Sequence, residues 1–317
     1  MHPPPKPAQP SDRTPRLAKP LKALKGVRIL SLALNLPGPA ALLRCQQMGA
    51  TCVKLEPPAP KNPANAARGA TSGDPMAHYS PEAYAALHPG VKTLTADLKT
   101  QVGQKRLHRE LAKADVLLTS FRPSALVKLG LPWKLLQQHY PSLSHVAIVG
   151  APGARAEEPG HDLTYLADNG LVTGLDLPPT LYADMGGALM ASEAVLQAVL
   201  AQRGKDKGVR IEVALSEAAA WLALPRSWQL TVPSGAVGGA HAGYRVYACK
   251  DGRVAVAALE PHFAAALCAA AGLDSSSVAA MLAPATAHAI AAFLRGKTRK
   301  QLDTLAQQKD IPLHTLA

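Results

Sequence analysis

The amino-acid sequence predicts an α/β fold, in which a Rossmann-like, doubly wound large domain is followed by a small α+β domain. Three observations support this prediction. Short apolar strands alternate with helical segments between residues 27 and 149, which is the pattern of βαβ units. A tight Pro-Gly turn joins the first strand to the first helix. Further along the chain, an Asp-Gly turn between two short strands predicts an antiparallel hairpin.

The elements of the large domain follow from their local patterns, because strands are apolar β-branched runs and helices carry apolar residues at helical spacing. Strands are expected at residues 27–34, 51–56, 92–97, 115–120 and 144–149. Helices are expected at residues 39–48, 101–113 and 133–139. Residues 57–88 form a long insertion rich in Ala, Pro and Asn. Its length predicts either mobility or a function.

The second half of the chain is predicted to be more helical. Helices are expected at residues 163–171, 185–202 and 216–224, with one strand at 209–213. A Gly-rich passage precedes the hairpin strands at 244–249 and 253–258, and further helices begin at Pro261, Thr286 and Thr298. We therefore expect a disordered basic tail at residues 1–21 and a large Rossmann-like domain at 22–198. A linker or crossover at 199–240 leads to a small α+β domain at 241–305, and residues 306–317 begin a return segment.

Composition excludes several classes of protein. The chain has 317 residues, 48% of them hydrophobic and 18% charged, which excludes a small disulfide scaffold and a wholly disordered chain. The sequence contains no run of 18 consecutive apolar residues, so no membrane span is predicted. The four cysteines form no CxxC motif, which favours buried thiols, a reducing cytoplasm and no metal site.

The charge balance leaves several partners open. The chain carries 34 basic and 22 acidic residues, a formal net charge of +12, which favours encounter with an anion. Nucleic acid, an anionic membrane and a phosphorylated small molecule all qualify, and a general bias of composition is an equal alternative. We expect no nucleic-acid partner, because the basic charge comes without a recognition helix, stacking aromatics or zinc-ligand spacing.

Two features of the large domain are candidates for anion binding. The turn at residues 34–39 brings backbone amides to a helix N-terminus, where a pyrophosphate could lie, although a plain tight turn explains it equally well. Arg122 directly follows a predicted strand, at the sheet edge where open α/β sheets bind ligands. Its guanidinium could grip a phosphate or carboxylate, and the alternative is a surface arginine at a turn.

Four further residues have titratable side chains at helix starts. His161 follows Pro-Gly at the opening of a helix and is a candidate general base. Asp162 beside it is more typical of a helix cap. Asp184 precedes a Gly-Gly pair and a long helix, so it is either a cap or a carboxylate that a ligand can approach. Glu260 ends an apolar strand before a helix, as a cap or a partly desolvated acid.

The order of the motifs resembles one family. A PGP turn comes first, followed by TADLKT, ADVLLTSFRPSALVKLGL, GHDLTYLADNG, LYADMGG, KGVRIEVALSEAA and YACKDGRVAVAALEPHF. Over residues 21–317 this series resembles the family III CoA-transferases, closest to the α-methylacyl-CoA racemase branch. The family's GHD, GDxGGG and IEP motifs match residues 160–162, 183–187 and 259–261.

The resemblance implies a family III CoA-transferase fold and an acyl-CoA substrate, with coenzyme A as part of the substrate and no separate cofactor. It makes the large domain the CoA-binding one and implies an interlocked homodimer. His161 and Asp184 would be two acid/base groups acting on the α-proton of a 2-methylacyl-CoA, and Glu260 would orient His161. In transferase members, the aspartate at the position of Asp184 is instead the nucleophile that forms an acyl-enzyme anhydride. The residues expected to help hold CoA are Leu36, Pro37, Gly38, Pro39, Lys92 and Arg122.

Three segments depart from the family's pattern where a CoA phosphate or adenine is expected. Pro57 stands where a basic residue is usual, AALHPGVK leaves Lys92 as its nearest basic residue, and GAPGARAEEPG replaces GxGQTGP. The sequence given ends at PLHTLA, near where the family's small domain returns to the large one. Three hypotheses therefore stay open: a racemase-like enzyme, a CoA-transferase that uses Asp184, and a catalytically silent member that acts as a binding subunit.

Overall fold

The computed structural model describes residues 21–60, 72–205 and 207–317. The chain divides into two compact units, Met1–Leu222 and Ala223–Ala317. The tail expected at residues 1–21 lies outside the described residues apart from Leu21, as does the middle of the insertion.

The described strands of the first unit form one parallel, six-stranded sheet with the order β3-β2-β1-β4-β5-β6. They are β1 (Arg28–Ser31), β2 (Thr51–Glu56), β3 (Lys92–Thr95), β4 (Val116–Thr119), β5 (Ser144–Val149) and β6 (Arg210–Ala214). β4 and β5 are buried along their whole length, as expected for central strands covered on both faces. The predicted doubly wound α/β fold is confirmed. β6 comes from the stretch expected as a linker, and it extends the sheet beside β5.

Helices lie between the strands of this unit. They are α1 (Pro37–Gln47), α2 (Pro75–Tyr79), α3 (Pro81–Leu87), α4 (Gln101–Leu111), α5 (Pro123–Lys128), α6 (Trp133–His139), α7 (Asp162–Asp168), α8 (Tyr182–Gln202) and α9 (Leu215–Leu222). Alpha-helices α2 and α3 fall inside the insertion, for which no element was predicted. Each of them begins with a proline in its first turn, a position that suits a residue without an N–H.

Close packing of small side chains holds α1 against α8. Ala41 on α1 and Ala188 and Ala191 on α8 are fully buried, and Arg44 Nε donates to Ser192 Oγ across the pair at 3.1 Å. This packing accounts for a core that contains few aromatic rings, because alanine faces let two helices approach closely.

The second unit contains a three-stranded antiparallel sheet and five helices among the described residues, and all of these helices except the first share a hydrophobic core with the sheet. The strands are β7 (Tyr244–Cys249), β8 (Gly252–Ala257) and β9 (Leu313–Leu316), in the order β7-β8-β9. The helices are α10 (Leu224–Ser227), α11 (Pro261–Ala270), α12 (Val278–Met281), α13 (Pro284–Arg295) and α14 (Arg299–Lys309). Their shared core includes Val254, Leu267 and Ile290, each fully buried. β9 has no counterpart among the predicted strands, since its four residues carry no distinctive pattern.

Two expectations from composition can be compared with this structure. All four cysteines are free and buried, as predicted, and burial raises the pKa of Cys45 and of Cys52 to about 12. Among the described helices, none has both the length and the apolar character needed to cross a bilayer.

Candidate active site

A cavity of about 370 Å³ lies at the carboxyl ends of β1, β4 and β5 in the first unit. The sheet order reverses between β1 and β4, and the crevice at such a switch point is where open α/β sheets bind ligands. Four of the nine predicted site residues line this cavity: Pro37, Arg122, His161 and Asp184. These four come from separate loops and helix starts, so the topology of the sheet brings them together.

His161 occupies the N-cap position of α7. Its backbone is fixed by Thr164, whose Oγ1 accepts from the His161 N–H at 3.1 Å and donates to the His161 carbonyl at 2.8 Å. A Cβ at Gly160 would lie 2.6 Å from the ring of Tyr165, so only glycine leaves room for that ring beside the histidine. The local sequence thus holds the backbone in place and leaves the exposed imidazole facing the cavity.

Asp184 lies in the first turn of α8, half-buried, beside a second carboxylate. The buried Asp162 accepts the backbone N–H of Asp184 through Oδ1 at 3.0 Å. The pKa of the Asp184 carboxyl is raised to about 6, first by burial and then by the negative charge of Asp162, while the charge of His161 opposes the shift. Asp162 was expected to cap the helix that starts beside it. Instead it is the first residue of α7 and satisfies a free amide of α8.

Arg122 lies where predicted, at the end of β4 and at the N-cap of α5. Its side chain is exposed and lines the cavity. The start of α5 is tied to the loop that follows β5, because Ser124 donates to Glu157 through its N–H at 2.6 Å and its hydroxyl at 2.8 Å. A guanidinium held at this edge can receive an anionic group of a ligand.

The turn expected to offer backbone amides is the first turn of α1. Leu36 is its N-cap and packs against the core, while Pro37, Gly38 and Pro39 are its first three residues and are buried. Proline has no N–H, so Gly38 is the one amide donor among these three positions. A Cβ on Gly38 would collide with Ala33. Glycine is therefore needed here for packing, and the turn offers less to a pyrophosphate than its sequence suggested.

Lys92 lies apart from the cavity. It begins β3, at the opposite end of the sheet from the carboxyl edge, and lines a separate groove of about 420 Å³ with Lys105, Arg106 and Arg109. Lys92 was predicted because the family's pattern has basic residues before this strand and Lys92 is the nearest basic residue there. In a parallel sheet, however, the first residue of a strand lies at the amino edge.

Glu260 belongs to the second unit. It occupies the N-cap position of α11, its side chain is exposed, and it makes no side-chain cap hydrogen bond. Its partnership with His161 stays a prediction from the resemblance.

A buried charge network behind the cavity was not predicted. The fully buried Lys54 Nζ lies 2.5 Å from Asp74 Oδ2 and 2.8 Å from Glu56 Oε1, and 3.0 Å from His88 Nε2. Ser72 donates to Glu56 at 2.5 Å. Lys54 and Glu56 are two residues apart on β2 and so share one face of the strand. That spacing within an apolar run was the signal available in the sequence.

Asn35 and Tyr165 also line the cavity and were not among the predicted site residues. Asn35 has a left-handed backbone, with φ of 68°, and its place in a βα turn is a signal because asparagine tolerates this conformation. Tyr165 lies one helical turn after His161, on the same face of α7. Burial first, and then the charge of Asp184, raise the pKa of the Tyr165 phenol.

The chain is similar to known proteins along most of its length. The family model described as CoA-transferase family III matches residues 24–317. The chain is 29% identical to an alpha-methylacyl-CoA racemase of Mus musculus over 83% of this chain and 68% of that protein. It is 30% identical to a probable fatty acyl-CoA transferase of Mycobacterium tuberculosis over 65% of this chain and 53% of that protein. It thus spans about half to two thirds of the length of these curated relatives.

Solved structures agree on the fold. A crystal structure of a hypothetical protein from Mycobacterium tuberculosis matches with a TM-score of 0.76 and 24% identity, over 95% of this chain and 84% of that one. A CAIB/BAIF family protein from Brucella suis matches with a TM-score of 0.72 and 22% identity, over 93% of this chain and 84% of that one.

Proposed function

We propose that this chain, which belongs to CoA-transferase family III, acts on an acyl-CoA thioester by moving the α-proton of a 2-methylacyl group between His161 and Asp184. One observation carries the proposal: an exposed imidazole and a half-buried carboxyl, whose pKa is raised to about 6, line the same cavity. Two different acid/base groups, an imidazole and a carboxyl, suit the removal of a proton on one face of a carbon and its return on the other.

The thioester supplies the acidity. Its carbonyl polarises the adjacent C–H bond, so one base accepts the proton while the electron pair of that bond moves toward the carbonyl oxygen. The second group, in its protonated form, then gives a proton to the opposite face, and the carbonyl reforms. Neutral His161 with protonated Asp184, or the reverse pair, satisfies this balance in each direction. Arg122 would bind an anionic group of the CoA moiety at the rim of the cavity.

Isotope exchange tests the proposal. A 2-methylacyl-CoA incubated with the protein in deuterated water should take up deuterium at Cα. Mass spectrometry measures this uptake. His161→Ala should reduce exchange from one enantiomer more than from the other, because each base serves one face. No exchange by the wild-type protein at high protein concentration would refute the proposal.

CoA transfer is the second candidate, and the relatives support it. A cinnamoyl-CoA:phenyllactate CoA-transferase of Clostridium sporogenes is 29% identical over 61% of this chain and 49% of that protein. In this chemistry a carboxylate oxygen of Asp184 attacks the thioester carbonyl, the C–S bond breaks, and CoA leaves as the thiolate. Hydroxylamine added after incubation with acyl-CoA should then convert Asp184 to a hydroxamate. Under the first proposal Asp184 stays unmodified.

A binding subunit without turnover is the third candidate. The two prolines in the first turn of α1 and the distance of Lys92 from the carboxyl edge favour it, since both reduce the donors available to CoA phosphates. Calorimetry that detects no heat of CoA binding would support the binding subunit against both enzymes.

We also propose that the chain forms an interlocked homodimer and is located in the cytoplasm. Sedimentation measures whether the homodimer forms.

A further inference from the structure

Asn35 is held in an unusual backbone conformation at the rim of the cavity. Its φ of 68° is left-handed, which costs a residue with a Cβ some free energy, although asparagine less than most. Both carboxylate oxygens of Asp74 accept the Asn35 N–H, at 3.1 and 3.2 Å. Asp74 also accepts the Met76 N–H at 2.9 Å and is paired with the buried Lys54. The strained residue is therefore anchored to a fully buried network.

The side chain of Asn35 is anchored as well. The Tyr79 hydroxyl donates to Asn35 Oδ1 at 2.6 Å. Because Oδ1 is occupied, the amide is left with Nδ2 and its two N–H donors, and no hydrogen bond from Nδ2 occurs among the described residues. Tyr79 also lies within electrostatic reach of the active-site carboxylate, since the charge of Asp184 contributes to raising the pKa of the phenol, after burial and Asp74.

The cavity needs such a donor. An enolate formed from a thioester places negative charge on the carbonyl oxygen, and fixed hydrogen-bond donors stabilise it. The backbone offers few of them here. Pro37 and Pro39 have no N–H in the first turn of α1, and the Asp184 N–H of α8 already donates to Asp162. A neutral side-chain amide with free donors fills the role that helix N-termini serve elsewhere.

We propose that Asn35 is a further catalytic residue, whose Nδ2 donates a hydrogen bond to the thioester carbonyl oxygen, and that Tyr79 is a positioning residue that orients this amide. The proposal rests on the proposed acyl-CoA substrate. It makes one prediction that does not depend on turnover: the protein distinguishes a carbonyl from a methylene at the position next to sulfur.

The experiment compares a 2-methylacyl-CoA with the matching thioether, in which a methylene replaces the carbonyl, by calorimetric titration. The wild-type protein should bind the thioester about fivefold more tightly, as expected for one net hydrogen bond. Asn35→Gly keeps the left-handed backbone and removes the amide, so this preference should disappear. Deuterium exchange at Cα should fall roughly 100-fold, the loss typical of one oxyanion donor.

Two further variants make the result specific. Tyr79→Phe should lose part of the preference with an unchanged melting temperature, as orientation of the amide requires. Gln229→Gly is the matched control, because Gln229 is another non-glycine residue with a positive φ, 64°, and it lies in the other unit. It should leave the preference unchanged.

The outcomes separate this assignment from the proposed function. Absence of exchange in a wild-type protein that still prefers the thioester refutes the proposed proton transfer and supports the carbonyl donor. A wild-type protein without the preference overturns the assignment. The same holds if Asn35→Gly retains the preference, or if the variant that loses it is Tyr165→Phe, which removes a hydroxyl that lines the cavity.

Discussion

Replacing Asp184 by asparagine should stabilise the fold, and only above a certain pH. The pKa of this carboxyl is raised from 3.8 to about 6 in the folded protein, chiefly by burial and then by Asp162. Between these two values the folded state binds more protons than the unfolded state, so stability falls as the pH rises through this window. A pKa difference of this size between the two states corresponds to about 3 kcal/mol at most. The neutral amide of Asp184→Asn avoids this cost.

Urea unfolding of the wild type and Asp184→Asn at pH 4, 5, 6, 7 and 8 measures the effect. The gain in the free energy of unfolding should be near zero at pH 4, increase through pH 6 and reach a plateau of about 2–3 kcal/mol above pH 7. Asp168→Asn, which replaces an exposed carboxylate on α7, is the matched control for the loss of one charge. A gain that is equal at all five pH values would refute the reasoning, because it would come from packing rather than from a penalty on the ionised carboxyl.

Three more perturbations follow from the same unit. Asp162→Asn keeps an oxygen that accepts the Asp184 N–H but removes a negative charge, so the pKa of Asp184 should fall. The acid limb of the pH profile of deuterium exchange should then move to lower pH by roughly one unit; an unmoved limb would assign the raised pKa of Asp184 to burial alone. Lys54→Met should lower the free energy of unfolding by about 3–5 kcal/mol, because it leaves two buried carboxylates unpaired, and a denaturant melt with a loss below 1 kcal/mol would contradict this. Burial lowers the pKa of His145 to about 3, so this residue should contribute a loss of stability of about 1.4 kcal/mol per pH unit as the pH drops from 6.5 toward 3, opposite in sign to the contribution of Asp184. His145→Leu should remove the His145 contribution from the pH dependence; an identical pH dependence in the variant would exclude it.

Much of the fold was predictable because it depends on local patterns. The limits of β2, α6, β5 and β7 agree with those predicted, since each is a periodic run bounded by turn residues. The predicted cavity residues that follow strands or begin helices, such as Arg122 and His161, lie together because parallel strands end at one edge of a sheet.

The rest of the site depends on contacts between distant segments. The Tyr79 hydroxyl meets Asn35 across 44 positions of sequence, and this contact requires the fold of the insertion, which carries no periodic pattern. Lys54 was missed because a buried lysine is explained only by the carboxylates around it, and one of them, Asp74, comes from that insertion. The turn before α1 was overrated for the opposite reason. Its motif was visible, but only the start of α1 at Pro37 shows that both prolines, which have no N–H, occupy the first turn of the helix.

The alanine faces of α1 and α8 have a consequence for motion at the cavity. Pro37 begins α1 and Asp184 lies in the first turn of α8. Two walls of the cavity are therefore formed by the N-terminal ends of two closely packed helices. Close packing of alanine side chains resists relative motion, so the two walls can change their separation only if one helix slides or tilts against the other. A bulkier side chain in the interface between α1 and α8, several turns from any reacting atom, would therefore change the width of the cavity that a substrate must enter.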